Sequence, residues 1–189
     1  MKKILVINGS GRKEGNAAGL ASQAIESMKK AGTEAKLFNL GEMNIHPCVA
    51  CNGCKTGTGG CVQKDELSSL IDDMLDCDGI LLTSPIYFGR ATAQVYIWVN
   101  RLYSLMSSAG SRCEKKESRK LGVILTFNSG PADVYAKEAD YLAMGGVKMV
   151  AGITAHNILL AGGLSDKDAY KSHTEYLDKA KVLGEWLVQ

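Results

Sequence analysis

Apolar residues recur along this chain with two periods, and stretches of one alternate with stretches of the other. Continuous apolar runs at Ile4-Leu5-Val6-Ile7, Gly79 to Ser84 and Leu121 to Phe127 predict strands buried on both faces. Glu34 to Leu40 predicts a short strand, and Val147 to Ile158 holds a fifth. Between these runs the apolar positions return every three or four residues. Ala17, Leu20, Ala21, Ala24, Ile25, Met28 and Ala31 form one helix face, which Gly32 is placed to end. Asp65 can cap a helix faced by Leu67, Leu70, Ile71, Met74 and Leu75. Val95, Trp98, Val99, Leu102, Leu105 and Met106 make the next face. A further helix runs from Pro131 to about Met144, and the last carries Tyr176, Leu177, Ala180, Leu183 and Leu187.

Five apolar strands alternating with helices predict a doubly wound α/β sandwich of three layers around a parallel sheet. Right-handed crossovers bring the strand C-terminal ends to one edge, where ligands bind at the topological switch point. The loops Ser10 to Asn16, Pro85 to Arg90 and Asn128 to Pro131 therefore meet there, although they are distant in sequence.

The totals narrow the functional classes. A length of 189 residues suits one domain, and 46% hydrophobic with 22% charged residues is a globular balance. A formal net charge of +2, with scattered Lys and Arg, argues against a nucleic-acid or membrane surface. The chain enters a strand at once and has no apolar run long enough to span a bilayer, so a cytoplasmic location is expected. The six cysteines are then read in a reducing compartment, where metal or redox roles outrank disulfides.

Three stretches carry candidate chemistry. Asn8-Gly9-Ser10-Gly11-Arg12-Lys13-Glu14-Gly15-Asn16 joins a strand to a helix start, whose first N–H groups lack internal partners. Ser10 and Asn16 add hydroxyl and amide donors and Arg12 a cation, a set suited to phosphate; no Gly-Lys-Ser/Thr follows, so this is not a Walker loop. The plain alternative is an ordinary β–α turn. Pro85-Ile86-Tyr87-Phe88-Gly89 sets two aromatics at the mouth of the sheet, as for a planar cofactor, or for capping the core.

The third stretch, about residues 45–62, holds Cys48, Cys51, Cys54 and Cys61 in the spacing C-x2-C-x2-C-x6-C. Four thiolates so spaced can hold one [4Fe–4S] cube, and the first two gaps equal those of bacterial ferredoxins. Tetrahedral zinc on the same sulfurs and unliganded thiols are the competing readings. Cys77 is expected as a small buried residue, Cys113 as a free surface thiol, His46 as a loop residue and Asp72-Asp73 as a solvated face. No nucleophile–base–acid set for hydrolysis is present, which fits chemistry carried by a cofactor.

Taken in order, the phosphate-type loop, Ser84-Pro85-Ile86-Tyr87-Phe88-Gly89 and Asn128-Ser129-Gly130 resemble the flavodoxin-like NAD(P)H-dependent FMN reductase family, and within it the iron–sulfur flavoproteins. The resemblance implies a flavodoxin-like sheet of order 2-1-3-4-5. It implies FMN held by Ser10, Arg12, Gly15, Asn16 and Ala17 at the phosphate, by Pro85, Ile86, Tyr87, Phe88 and Gly89 beside the ring, and by Asn128, Ser129 and Gly130 on its far side. NAD(P)H would be a transient substrate, the acceptor a flavin, quinone or metal centre, and the cysteines the ligands of a [4Fe–4S] cluster. An electron carrier with no nicotinamide substrate of its own is the alternative. The family implies a homodimer or homotetramer; Trp98 and Tyr103 are candidates for its interface, and core packing explains them equally. Two departures stand out: the family often has Lys at Tyr96 and Asp at Asn100.

Overall fold

A computed structural model describes residues 2–56 and 59–189. Strands β1 (Lys3–Asn8), β2 (Glu34–Asn39), β3 (Gly79–Pro85), β4 (Lys120–Thr126) and β5 (Ala155–Ala161) form one sheet in the order β2-β1-β3-β4-β5. Every pairing is parallel, so the expected 2-1-3-4-5 topology is borne out. The registers Asn8↔Thr83, Pro85↔Thr126 and Thr126↔Ala161 align the strand ends along one edge.

The two-residue pleat divides the core. Ile4, Val6, Leu81 and Ile124 point to one face, against α1 (Asn16–Lys30) and α6 (Thr174–Val188). Leu5, Ile7, Ile80, Leu82, Val123 and Leu125 point to the other. That face is covered by α2 (Leu67–Asp73), α3 (Ala93–Arg101), α4 (Ala136–Met144) and α5 (Gly146–Ala151). Each such side chain, fully buried, contributes about 1.5–3 kcal/mol. Gly32, at φ 72°, follows the end of α1 in the left-handed conformation that its position in the sequence suggests.

Several expectations are corrected. The stretch from Val147 begins as a helix: Val147, Val150 and Ala151 share a buried face while Met149 is exposed, and β5 starts only at Ala155. A left-handed Gly152 separates the two. Asp65 stands one residue outside the position directly before α2, which Glu66 takes; its carboxylate meets the Leu67 N–H of the first turn and is also taken by Arg101. Of the two readings of Trp98, core packing is the one found: it is fully buried, with its indole N–H on Met74 Sδ at 3.3 Å, whereas Tyr103 is half exposed. Cys113 is buried as well, because the linker folds back through a two-stranded ribbon, Met106–Ser107 against Gly110–Ser111. Asp73 is not a free surface acid: it pairs with Lys3 and Lys36 and fastens α2 to β1 and β2. Among the described residues, no helix is long and apolar enough to cross a membrane.

Candidate functional site

The edge where β1, β3, β4 and β5 end is held open by polar side chains that pair with one another. Asn8, buried at the end of β1, accepts from the Ser10 N–H and the Thr83 hydroxyl and donates to Asn39 Oδ1. Gly9 then passes so close to α3 that a Cβ would lie 2.2 Å from Val95 Cγ2, and its carbonyl accepts from the Thr92 hydroxyl at 2.6 Å. Only glycine fits this approach. The chain next turns at Ser10, whose Oγ accepts from the Arg12 N–H at 3.0 Å.

Helix α1 starts after Gly15, which sits at φ 150° and supplies no side-chain cap. The first turn of α1 also contains no acidic residue. Its leading N–H groups thus face the cleft with neither a cap nor a neutralising carboxylate, beside the exposed Arg12. The arrangement is an anion cradle. The Asn16 side chain, by contrast, is spent within the protein. Its Nδ2 donates to Leu164 O at 3.2 Å and to Asp166 O at 2.7 Å, and its Oδ1 accepts from the Tyr170 N–H at 3.0 Å. Only its backbone amide is left for the cleft.

The cleft has a volume of about 240 Å³. Ser10, Arg12, Gly15, Asn16 and Ala17 line one end, Pro85, Ile86 and Tyr87 one wall, and Asn128 the far side. Of the residues implied by the resemblance, Phe88, Gly89, Ser129 and Gly130 do not line it. Phe88 and Gly89 form the tip of a tight turn closed by Tyr87 N–H to Arg90 O at 2.8 Å and Arg90 N–H to Tyr87 O at 3.1 Å. Phe88 adopts φ 50° and is fully exposed. That costs both backbone strain and apolar exposure, a combination found where a turn is shaped for contact.

The sequence reading missed two parts of the site. Leu164 and Ser165, from the loop after β5, also line the cleft. The misplaced start of the fifth strand hid them; with β5 ending at Ala161, Gly162-Gly163 marks a fourth loop at the same edge. Glu138 of α4 is the other. Its carboxylate, 1% exposed, accepts from the Ala91 N–H at 2.9 Å, the Tyr96 hydroxyl at 2.7 Å and Arg90 Nη1 at 3.0 Å. One buried acid therefore fixes the base of the Tyr87–Arg90 turn and the start of α3. Burial and the Glu138 carboxylate beside it push the Tyr96 phenol up, so Tyr96 stays a neutral donor.

The cysteine-bearing segment lies against α3 and the ribbon, and Gly57 and Thr58 within it are outside the described residues. Cys54 is buried, Cys48 and Cys61 are intermediate, Cys51 is exposed, and all are free thiols. The described residues gather no group of three or more metal-ligating side chains. Two arginines hold the segment. Arg101, 1% exposed, donates to both Asp65 oxygens at 2.8 and 3.2 Å and to His46 O at 3.0 Å. Burial alone would raise the Asp65 carboxyl; the Arg101 guanidinium and the His46 N–H outweigh it and hold the group below its ordinary range. Arg112 donates from Nη2 to Cys54 O at 3.2 Å and lies across Gly59.

A parallel sheet with an anion cradle and an aromatic turn at its C-terminal edge defines a flavodoxin-like α/β protein. Comparison narrows this. Residues 2–132 match the NADPH-dependent FMN reductase family, and the chain belongs to that family of oxidoreductases. An iron–sulfur flavoprotein of Archaeoglobus fulgidus is 30% identical over 82% of this chain and 75% of its own length. One from Methanocaldococcus jannaschii is 35% identical, but that match spans about half of each chain, 52% and 51%. Among solved structures, an NAD(P)H:quinone oxidoreductase from Methanothermobacter marburgensis superposes with a TM-score of 0.78 over 100% of this chain and 98% of its own, at 14% identity. An azoreductase from Bacillus anthracis gives 0.67 over 98% and 99%, at 16% identity. At such identities the likeness is one of fold.

Proposed function

We propose that this chain binds FMN in the cleft and carries electrons from NAD(P)H to a flavin, quinone or metal acceptor, with a [4Fe–4S] group on Cys48, Cys51, Cys54 and Cys61. The observation that carries the reading is the uncapped, acid-free start of α1 beside Arg12, facing the Pro85–Tyr87 wall across one cleft. Bound FMN would supply the redox chemistry, accepting a hydride and releasing electrons singly or in pairs.

The chain's own residues bind and orient. The amides of Asn16 and Ala17, the Ser10 hydroxyl and Arg12 would take the phosphate. Pro85, Ile86 and Tyr87 would flank the ring; the Ile86 and Tyr87 N–H groups are already bonded to Thr126 O and Arg90 O, which stiffens that wall. The Phe88 and Gly89 amides at the turn tip, and those of Ser129 and Gly130, donate to no described residue and are available to the ring's polar edge. No side chain needs to act as acid or base.

For the iron–sulfur group, the donor set is four free thiols within one short segment. Arg112 Nε, a buried guanidinium N–H beside them, lacks an acceptor, and the Arg101 guanidinium stands against the Cys61 thiol; a thiolate-rich anion would suit both. The donor set is of the right chemical kind for the group, and the described residues do not gather three of its sulfurs at one point.

The test is purification without oxygen, followed by assay of flavin, iron and sulfide and by addition of NADH or NADPH. Bound FMN, roughly four irons and four sulfides per chain as a cube requires, and rapid bleaching by the nucleotide would support the full reading. Flavin and cluster without bleaching would favour an electron carrier. A protein that cannot be reconstituted with FMN would overturn the proposal.

A further inference from the structure

Beside the cleft, across the Tyr87–Arg90 turn, lies a second cavity of about 520 Å³, lined by Arg90, Tyr96, Lys137 and Tyr141. The turn is shared by the two cavities. Tyr87 lines the first and Arg90 the second, and their backbones exchange hydrogen bonds at 2.8 and 3.1 Å. None of the four side chains of the second cavity lines the cleft.

The lining consists of two cations and two phenols, with no carboxylate. The Tyr96 and Tyr141 rings are stacked, with centroids 6.2 Å apart and planes at 28°. Tyr96 is pinned through its hydroxyl to Glu138, whereas Tyr141 is half exposed and leaves ring surface free for a ligand. Arg90 is held from beneath by a single bond, Nη1 to Glu138 at 3.0 Å, with 67% of its side chain still in solvent. Its remaining N–H groups are free to meet an anion. Lys137 is exposed and enters no ion pair among the described residues. Asp140 follows it by one turn but does not line the cavity.

Lys137 and Tyr141 are four residues apart on α4, so they stand one above the other on one helix face. A ring plane and a cation so placed match an adenosine phosphorylated at its 2′ oxygen, where base and phosphate hang from adjacent ribose carbons. A 5′ pyrophosphate starts at the far side of the ribose. Recognition of an unmodified ribose uses an acid on the 2′ hydroxyl, and recognition of a 2′ phosphate uses a cation. Here both charged groups of the lining are cations.

We propose that this cavity takes the adenosine 2′-phosphate end of NADPH, with adenine on Tyr141 and the phosphate between Lys137 and Arg90, and that the protein thereby selects NADPH over NADH. The nicotinamide end would then cross the Tyr87–Arg90 turn toward the flavin. The inference rests on the FMN reading above and adds to it the identity of the donor and the residues that read it.

The test uses the full chain as wild type, K137E, K137Q and Y141A, each assayed first for FMN uptake. Calorimetry then measures binding of adenosine 2′,5′-bisphosphate and adenosine 5′-phosphate, and anaerobic bleaching of the flavin gives half-saturation by NADPH and NADH. Wild type should bind the bisphosphate about tenfold more tightly than the monophosphate. K137E should lose that difference, raise the NADPH half-saturation by about tenfold and leave NADH and FMN unchanged, with K137Q in between. Y141A should weaken both probes alike by about tenfold, since base stacking is common to them. Equal affinity of wild type for the two probes, or a K137E that binds them as wild type does, would overturn the inference and leave the FMN reading intact. Variants that change the oligomeric state but not probe affinity would assign this face to a second copy of the chain and overturn it too. A wild type that takes up no FMN would overturn the FMN reading, while the probe titration, which needs no flavin, still decides this one.

Discussion

Asn16 Nδ2 donates to Asp166 O at 2.7 Å, joining residues that lie 150 positions apart in the chain. With its bonds to Leu164 O and the Tyr170 N–H, this one side chain holds the loop after β5 against the start of α1. Asn16 acts on the cleft chiefly by positioning its fourth wall.

The substitution N16A removes all three bonds and should lower stability by about 1–2 kcal/mol. FMN affinity should fall with it, because Leu164 and Ser165 lose their anchor. Urea unfolding and flavin fluorescence titration measure the two effects. Undiminished affinity in N16A would show that the fourth loop is irrelevant to binding.

If Arg12 and Ser10 take the FMN phosphate as proposed, they separate FMN from riboflavin, which lacks it. R12Q should weaken FMN binding by about tenfold and leave riboflavin binding unchanged. Raising the salt concentration should weaken wild-type FMN binding more than that of R12Q, since this contact is exposed to solvent. Parallel titrations with the two flavins read both effects.

Glu138 satisfies three donors at once, so E138Q, which replaces one acceptor oxygen with an NH2 group, leaves at least one of them unpaired. A loss of about 1–3 kcal/mol is expected, together with looser FMN binding through the Tyr87–Arg90 turn. E138A should do more on both counts. Thermal melts of the apo and FMN-bound forms check this.

The Arg101–Asp65 pair gives acid sensitivity a defined sign. Asp65 is held below its ordinary value, so its contribution is present above the unfolded carboxyl range, near 3.8, and is lost as pH falls through the lower folded value. D65N leaves Arg101 buried without a counter-ion and should cost about 3–5 kcal/mol near neutral pH. The gap between wild type and D65N should narrow on acidification. A gap independent of pH in urea titrations would contradict the assignment.

Thiol labelling should separate the cysteines. Burial pushes the Cys77 thiol up to about 11 and raises that of Cys113 as well. In the iron-free native protein, iodoacetamide should modify Cys51 first, then Cys48 and Cys61, and spare Cys77 and Cys113 until unfolding. The protonated Cys77 thiol contributes stability fully below the unfolded value of 9.0, and this is lost as pH rises toward about 11. Peptide mass spectrometry of the labelled protein reads the order of modification.

The sequence by itself determined the alternation of strands and helices, the parallel sheet and the three loops at its edge. Each rests on local pattern: apolar runs for β1, β3 and β4, a three-to-four-residue period for α1, and glycines at Gly9, Gly11 and Gly15 in the loop between β1 and α1. Tertiary structure alone decided what those loops lean on. Glu138 reads as one more charge on an amphipathic helix until folding brings it, 47 residues along, to the Ala91 N–H. Asn16 reads as a phosphate ligand until the loop after β5 claims its side chain. Arg101 and Arg112 carry no local signal of their burial; Asp65 and Cys54 meet them only in the folded chain. Local pattern records which way a residue faces along its own element. Which distant polar group desolvates with it depends on long-range packing, which no local window of the sequence contains.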